Sequence, residues 1–237
     1  MRAVILAAGQ GMRLRSVVDN RPKGLIELAG ESLVARSLRM LRKAGIDETT
    51  IVAGYRATQY ARFCADRSGL TLVVNDAYAT SGSMASFAAA LDAGVTGDLL
   101  LLESDVVYER RALPAILESP FETATLVSGP TRAGDEVWVD AVDGRLRGLS
   151  KRKEDLPSSV GEFVGITKLS ADAVAAMREQ FAAFVAAHGH GRMDYETAAL
   201  VGIARSQTVG VVVVPDLQWG EIDDERQYAR VSSMIWR

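Results

Sequence analysis

Residues 1–15 read MRAVILAAGQGMRLR, and the way this stretch is read decides the fold. The apolar run over residues 2 to 7 suits a strand buried on both faces. It breaks at once into Gly9 and Gly11, then Arg13 and Arg15. A dinucleotide fingerprint requires a third glycine three residues after the second, to let the helix pack on the strand, and Leu14 stands there. A Walker loop requires Gly-Lys-Ser/Thr five residues after its first glycine, and the sequence has none. Two readings stay open: a loop whose bare backbone N–H groups approach an anion, with Arg13, Arg15 and Lys23 adding charge, or a tight turn with solvated arginines.

Outward from this strand, the first half alternates as expected for a parallel sheet with crossover helices. Ser32 is placed to cap a helix running to Ala44, with Gly45 as its stop. Residues 49–54 (TTIVAG), 70–74 (LTLVV) and 98–103 (DLLLLE) read as strands; residues 58–67 and 84–93 read as helices. From residue 124 to 169 the texture changes to short β-prone pieces, ATLVSG, EVWVDA and GEFVGITKL, with Asp143-Gly144 as a hairpin turn. Helices are expected over 171–187 and 194–204, then the strand GVVVVP and a last amphipathic helix. The fold class is α/β: a Rossmann-like three-layer arrangement with a mixed, mostly parallel sheet and a small antiparallel excursion walling a pocket. No repeat or linker divides the chain, so one domain is expected over residues 1–237.

The formal charge of −3 over 237 residues gives no global basic field, which argues against a nucleic-acid polymer as partner. No apolar run approaches the length of a membrane span, and a cytoplasmic protein is expected. The single cysteine, Cys64, falls in a helical pattern and reads as a core filler. His188 and His190, among glycines at a helix end, lack the company a zinc site needs and read as part of a helix stop.

Two acidic groups fall where a strand leaves the sheet. Glu103 and Asp105 follow DLLLL, and Glu221, Asp223 and Asp224 follow a later apolar strand. Carboxylates at such a position need water, a cation or a metal. A competing reading makes Asp223 or Asp224 the cap of the last helix. Ser83 likewise reads either as a helix cap or as a ligand-facing hydroxyl.

The run ILAAGQGMRLRSVVDNRPKGLIEL (5–28) resembles the signature of the nucleotidyltransferases that join a nucleoside triphosphate to a sugar phosphate or aminoalcohol phosphate. VVNDAYATSGSMASF, ESDVVYE, EVWVD, GEFVGITKLS and WGEIDDERQY are most similar to the small cytidylyltransferases acting on phosphocholine or 2-aminoethylphosphonate. The resemblance implies a nucleotide-binding half of about residues 1–120 and an acceptor-binding half of about 121–237. It implies Mg2+ on Asp105 and Asp223, with Glu103 and Glu221 behind them. Lys23 and Arg13 are then placed on phosphate oxygens, beside a nucleotide site of Leu6, Ala7, Ala8, Gly9, Gly11, Met12, Ser81, Gly82, Ser83 and Glu103. The implied partners are CTP and a small amine-bearing phosphonate or phosphate; a homodimer is compatible with this.

For the acceptor, carboxylates and aromatic faces suit an amine head better than a sugar. Glu136, Trp138, Lys151, Glu162, Asp194, Glu196 and Trp219 are the candidates, although a tryptophan in a hairpin also reads as packing. The abundance of carboxylates favours a primary amine, whose three N–H donors must be satisfied. A sugar-1-phosphate nucleotidylyltransferase and a non-catalytic nucleotide-binding regulator are the alternatives.

Overall fold

The computed structural model describes residues 1–11, Arg13 and residues 21–234. In chain order its strands and helices begin with β1 (Arg2–Ala7), β2 (Glu27–Leu28), β3 (Glu31–Ser32), α1 (Leu33–Lys43), β4 (Thr49–Ala53), α2 (Ala57–Cys64), β5 (Leu70–Val74) and α3 (Ser83–Asp92). Next come β6 (Leu99–Glu103), β7 (Val106–Tyr108), α4 (Ala112–Leu117), β8 (Ala124–Ser128), β9 (Trp138–Val142), β10 (Arg145–Ser150) and β11 (Gly161–Leu169). α5 (Ala171–His188), α6 (Val201–Ile203), β12 (Gly210–Val214), β13 (Trp219–Glu221) and α7 (Glu225–Ser232) complete the order.

Nine strands form one sheet in the order β5-β4-β1-β6-β11-β8-β12-β10-β9. β5, β4, β1 and β6 are mutually parallel, whereas β11 runs antiparallel to both β6 and β8. Alternate residues of the parallel strands enter opposite cores, as the two-residue period of a strand dictates. Val4, Val52, Leu99 and Leu101 pack with α3 and α5 on one face; Ala3, Ile5, Ile51, Leu100 and Leu102 pack with α1, α2 and α4 on the other. This is the three-layer α/β/α architecture expected.

The antiparallel excursion goes further than expected. β9 pairs with β10 and also returns to β11, through Gly161 with Val139 and Glu162 with Trp138. Strands β11, β8, β12, β10 and β9 thus close on themselves, and the far side of the sheet has no open edge. The hairpin turns at Asp143 (φ 51) and Gly144 (φ 70), the two positive dihedrals of a tight two-residue loop.

Local signals account for most element ends. Ser32 accepts a hydrogen bond from the Ala35 N–H at 3.3 Å and caps α1, and Gly45 (φ 78) ends it. Gly189 (φ 71) ends α5, and His188 lies against the Phe184 carbonyl beside it. Cys64 is half-buried against the α1–α2 core, and burial pushes its thiol pKa up. Two expectations require correction. Gly82, not Ser83, is the N-cap of α3, because the Ser83 hydroxyl is engaged with another segment. The expected helix over 194–204 is instead a π-helical turn, Tyr195–Leu200, running into the short α6.

Candidate active site

β1 sits between β4 and β6, so successive crossovers leave it in opposite directions and a crevice opens beyond the carboxyl ends of β1 and β6. The glycine turn after β1 faces the Ser104–Asp105 corner after β6, joined by the Ser104 N–H donating to the Leu6 carbonyl at 3.1 Å. A cavity of about 270 Å³ fills this crevice. Leu6, Ala7, Ala8, Gly9, Lys23, Ser81, Gly82, Ser83, Glu103 and Asp105 all line it. Gly11 (φ 55) shapes the turn without lining the cavity, and Met12 and Arg15 lie outside the described residues.

A second cavity, of about 370 Å³, adjoins the first; Glu103 and Glu221 line both. Lys151, Glu162, Glu196 and Trp219 of the expected acceptor set line it, with Arg13 and Asp223. Three expected residues do not. The Trp138 ring instead lies under the Lys153 ammonium, 4.4 Å from its centroid. Glu136 turns back on its own loop and accepts from the Gly134 N–H at 3.3 Å. Asp194 is exposed just ahead of the π-helical turn, whose Tyr195 and Glu196 occupy the inward positions.

Asp224 and Gln227 form a capping box that starts α7, which resolves the competition between the two adjacent aspartates. Asp223 is thereby turned inward, where it contacts Lys23 and lies 2.7 Å from an Arg13 guanidinium nitrogen. Lys23 also donates to Asp105 at 2.9 Å. Burial alone would lower the Lys23 pKa; the Asp105 carboxylate beside it more than reverses this and holds the ammonium charged.

Negative charge exceeds this compensation. Glu103, Asp105 and Glu221 converge, as do Asp135, Glu221 and Asp223, with ligand oxygens within 4.8 Å in each trio. Burial first, and then Asp105, pushes the Glu221 pKa up to about 8. Glu103 is raised well above the ordinary carboxylate range by burial and then by Glu221, while its Oε1 accepts from the Tyr195 hydroxyl at 3.0 Å. Gly165 (φ 78), in the irregular stretch of β11, makes room for it: a Cβ there would stand 2.9 Å from Glu103 Oε2. Clustered hard oxygen donors with unbalanced charge fit a divalent cation.

The second cavity is also acidic. Glu162 is only 3% exposed and accepts from the Thr131 N–H at 2.6 Å and the Thr131 hydroxyl at 3.0 Å. Burial nevertheless pushes its pKa up to about 7. Burial raises Glu196 likewise. Trp219 forms a fixed wall, its indole N–H donating to the Ser128 hydroxyl.

A model of the MobA-like NTP transferase domain matches residues 3–194. The chain belongs to that family. Within it, the chain is 31% identical to CMP-5'-(3-aminopropyl)phosphonate synthase of Streptomyces rubellomurinus, over 94% of this chain and 37% of that protein. It is 34% identical to choline-phosphate cytidylyltransferase of Haemophilus influenzae over 46% of each chain. The chain thus spans less than half the length of both relatives. A solved inositol-1-phosphate CTP transferase from T. maritima superposes with a TM-score of 0.77 at 20% identity, covering 100% of this chain and 98% of that one. CTP:phosphocholine cytidylyltransferase from Streptococcus pneumoniae gives 0.78 at 19% identity, covering 98% and 97%. At these identities the superpositions establish the nucleotidyltransferase fold.

Sequence reading missed several lining residues of this nucleotidyltransferase domain: Tyr78, Ser86 and Ser104 in the first cavity, and Gly134, Val137 and Phe163 in the second. Buried Asn75 was missed too; it donates to the hydroxyls of Ser81 and Ser86 at 3.2 and 3.0 Å and so holds the loop in place. An asparagine directly after a strand was its available signal.

Proposed function

We propose that the chain is a cytidylyltransferase that transfers CMP from CTP to a small amine-bearing phosphonate or phosphate, releasing pyrophosphate. 2-Aminoethylphosphonate is the favoured acceptor and phosphocholine the next. The observation that carries this reading is the pair of adjoining cavities with Lys23, Asp105 and Asp223 at their junction. One has a glycine turn and small hydroxyl residues beside its charged groups, the other a wall rich in carboxylates. In this reading residues of about 1–120 and 121–237 contribute the two cavities of a single domain.

The reaction forms a bond from an acceptor phosphonate or phosphate oxygen to the α-phosphorus of CTP. The bond from that phosphorus to the bridging oxygen breaks, and its electron pair leaves with pyrophosphate. Both reactants are anions, so charge neutralisation and alignment dominate the barrier, and no general base is required. Lys23 leaves its aspartates for the acceptor and α-phosphate oxygens. Arg13 and the N–H groups of the glycine turn hold the departing pyrophosphate, while Ser81, Gly82 and Ser83 meet the base and ribose. Asp105 and Asp223 would hold Mg2+, with Glu103 and Glu221 behind them. When bound, the ion supplies Lewis-acid neutralisation of the triphosphate.

Glu162 and Glu196 are the acceptor's ammonium partners. Each is a buried carboxylate whose ionised form is short of compensation, and an ammonium restores it. With Trp138 outside the cavity, a quaternary head loses one of its aromatic faces, which favours the primary amine. A relative named as a CMP-5'-(3-aminopropyl)phosphonate synthase supports the primary amine, and one named as a choline-phosphate cytidylyltransferase supports an amine-bearing acceptor more broadly. The test is a pyrophosphate-release screen of four nucleoside triphosphates against aminophosphonates, phosphocholine and sugar 1-phosphates. Turnover with CTP and 2-aminoethylphosphonate is expected; turnover confined to a sugar phosphate overturns the reading.

A further inference from the structure

The two cavities are joined by a bridge of hydrogen bonds between the start of α3 and the segment that leads into the π-helical turn. Residues 82–84, at the start of α3, run alongside residues 191–195. The Gly82 N–H donates to the Gly191 carbonyl at 2.9 Å and the Met84 N–H to the Met193 carbonyl at 3.0 Å. Approach is so close that a Cβ on Gly82 would stand 2.3 Å from the Met193 oxygen. Between these two bonds the Ser83 hydroxyl accepts from the Tyr195 N–H at 2.8 Å and donates to Glu196 Oε2 at 3.2 Å. Ser83 lines the first cavity and Glu196, 8% exposed, lines the second.

Ser83 is therefore not spent on its own helix. Its oxygen fixes the first amide of the π-helical turn, and its proton fixes the carboxylate of the next residue. π-Helical turns occur frequently at functional sites. Here Tyr195 reaches Glu103 while Glu196 faces the second cavity.

We infer that Ser83 is a positioning residue that aims the Glu196 carboxylate at the acceptor's ammonium from the nucleotide side, and so sets the preference for amine-bearing acceptors. This rests on the assignment of the second cavity to an amine-bearing acceptor. A ligand that takes the Ser83 hydroxyl as a partner alters the constraint on Glu196, and by linkage the acceptor alters nucleotide affinity by the same factor.

The test compares kcat/KM for 2-aminoethylphosphonate and for ethylphosphonate, its amine-free analogue, at saturating CTP. Wild type is expected to prefer the amine. Ser83→Ala is expected to lower that preference about tenfold, chiefly through KM for the amine. Ser83→Thr, which keeps the hydroxyl, retains it. Glu196→Gln, which leaves the fold of the 82–84 segment untouched, reproduces the loss if Ser83→Ala is too unstable to assay. Proportional losses on both acceptors in Ser83→Ala would mean a merely structural role and overturn the inference, as would an unchanged ratio. Wild type that ignores the amine overturns the acceptor assignment itself, a result distinguishable from discrimination that survives Ser83→Ala and Glu196→Gln.

Discussion

The cavity after β1 and the cavity beside β11 share Glu103 and Glu221 but are built by different means. The first is built around two loops, a glycine turn and a serine loop at the carboxyl ends of parallel strands, where the fold itself opens a crevice, with Lys23, Glu103, Asp105 and Glu221 also lining it. The second is made of side chains from β11, the 134–137 loop, the π-helical turn and β13. A site built on loops depends on the local course of the chain, whereas a surface of buried carboxylates depends on each group. Substitution effects should therefore be catalytic at the junction, acceptor-specific in the second cavity and small beyond it.

The largest effect belongs to the junction. Lys23→Met removes the cation that bridges Asp105 and Asp223 and is expected to lower kcat by about 10²–10³-fold, the magnitude seen when one preorganised donor to developing charge is lost. Steady-state pyrophosphate release measures it. A Lys23→Met protein with wild-type kcat would remove the junction from the chemistry and leave two unrelated cavities.

Next in size is Glu162. Glu162→Gln keeps the shape and loses the charge, and KM for the amine acceptor is expected to rise about tenfold or more, since a hydrogen bond to a charged group contributes ~1.5–3 kcal/mol. KM for CTP should hardly move. The same residue gives a pH signature. With its pKa at about 7 against an ordinary 4.5, folded Glu162 keeps a proton that the unfolded chain has already released. Stability contributed by that proton is present at low pH and declines as pH rises between those two values. Acceptor binding runs the other way: KM should fall as pH climbs through about 7, where Glu162 ionises. Glu136 and Arg230 also act on this carboxylate, in opposite directions. A phosphonate acceptor titrates in a similar range, so the pH profile of Glu162→Gln supplies the baseline.

The contrast between the cavities also explains what could be read from sequence. The strand-glycine-arginine run, Lys23 after its proline and Asp105 after β6 are local signals, each fixed by neighbours in the chain, and the structure gathers them. Ser32 and Gly45 bound α1 for the same reason. The second cavity depends on which face of a strand or turn points inward, and single-residue shifts decide that. Glu162 and Glu196 enter it while Glu136 and Asp194 do not, although the sequence offers four similar acids. The π-helical turn and the return of β9 to β11 are the tertiary features that settle the choice, and neither has a local signature.

A smaller effect tests how the two adjacent aspartates divide their tasks. Asp224→Ala removes the capping box of α7 and should cost about 1 kcal/mol in denaturant unfolding, with Asp223 still able to reach Lys23. If turnover falls as steeply as in Lys23→Met, the cap and the inward carboxylate act as one unit.

The smallest expected effect is the sharpest check on where the proposed acceptor cavity ends. Trp138 opens β9 directly opposite Glu162, and sequence reasoning placed it in the acceptor wall. Its ring instead carries the Lys153 ammonium, an arrangement that contributes about 0.5–1 kcal/mol at an exposed site. Trp138→Ala should therefore lower stability by roughly that amount plus the packing it loses, and leave KM for the amine acceptor within about twofold. A cation-binding aromatic wall would behave differently: its removal would raise KM for phosphocholine far more than for 2-aminoethylphosphonate, because only the quaternary head relies on an aromatic face. Parallel KM measurements on the two acceptors thus distinguish a tryptophan committed to Lys153 from one that exchanges that lysine for the substrate's own cation.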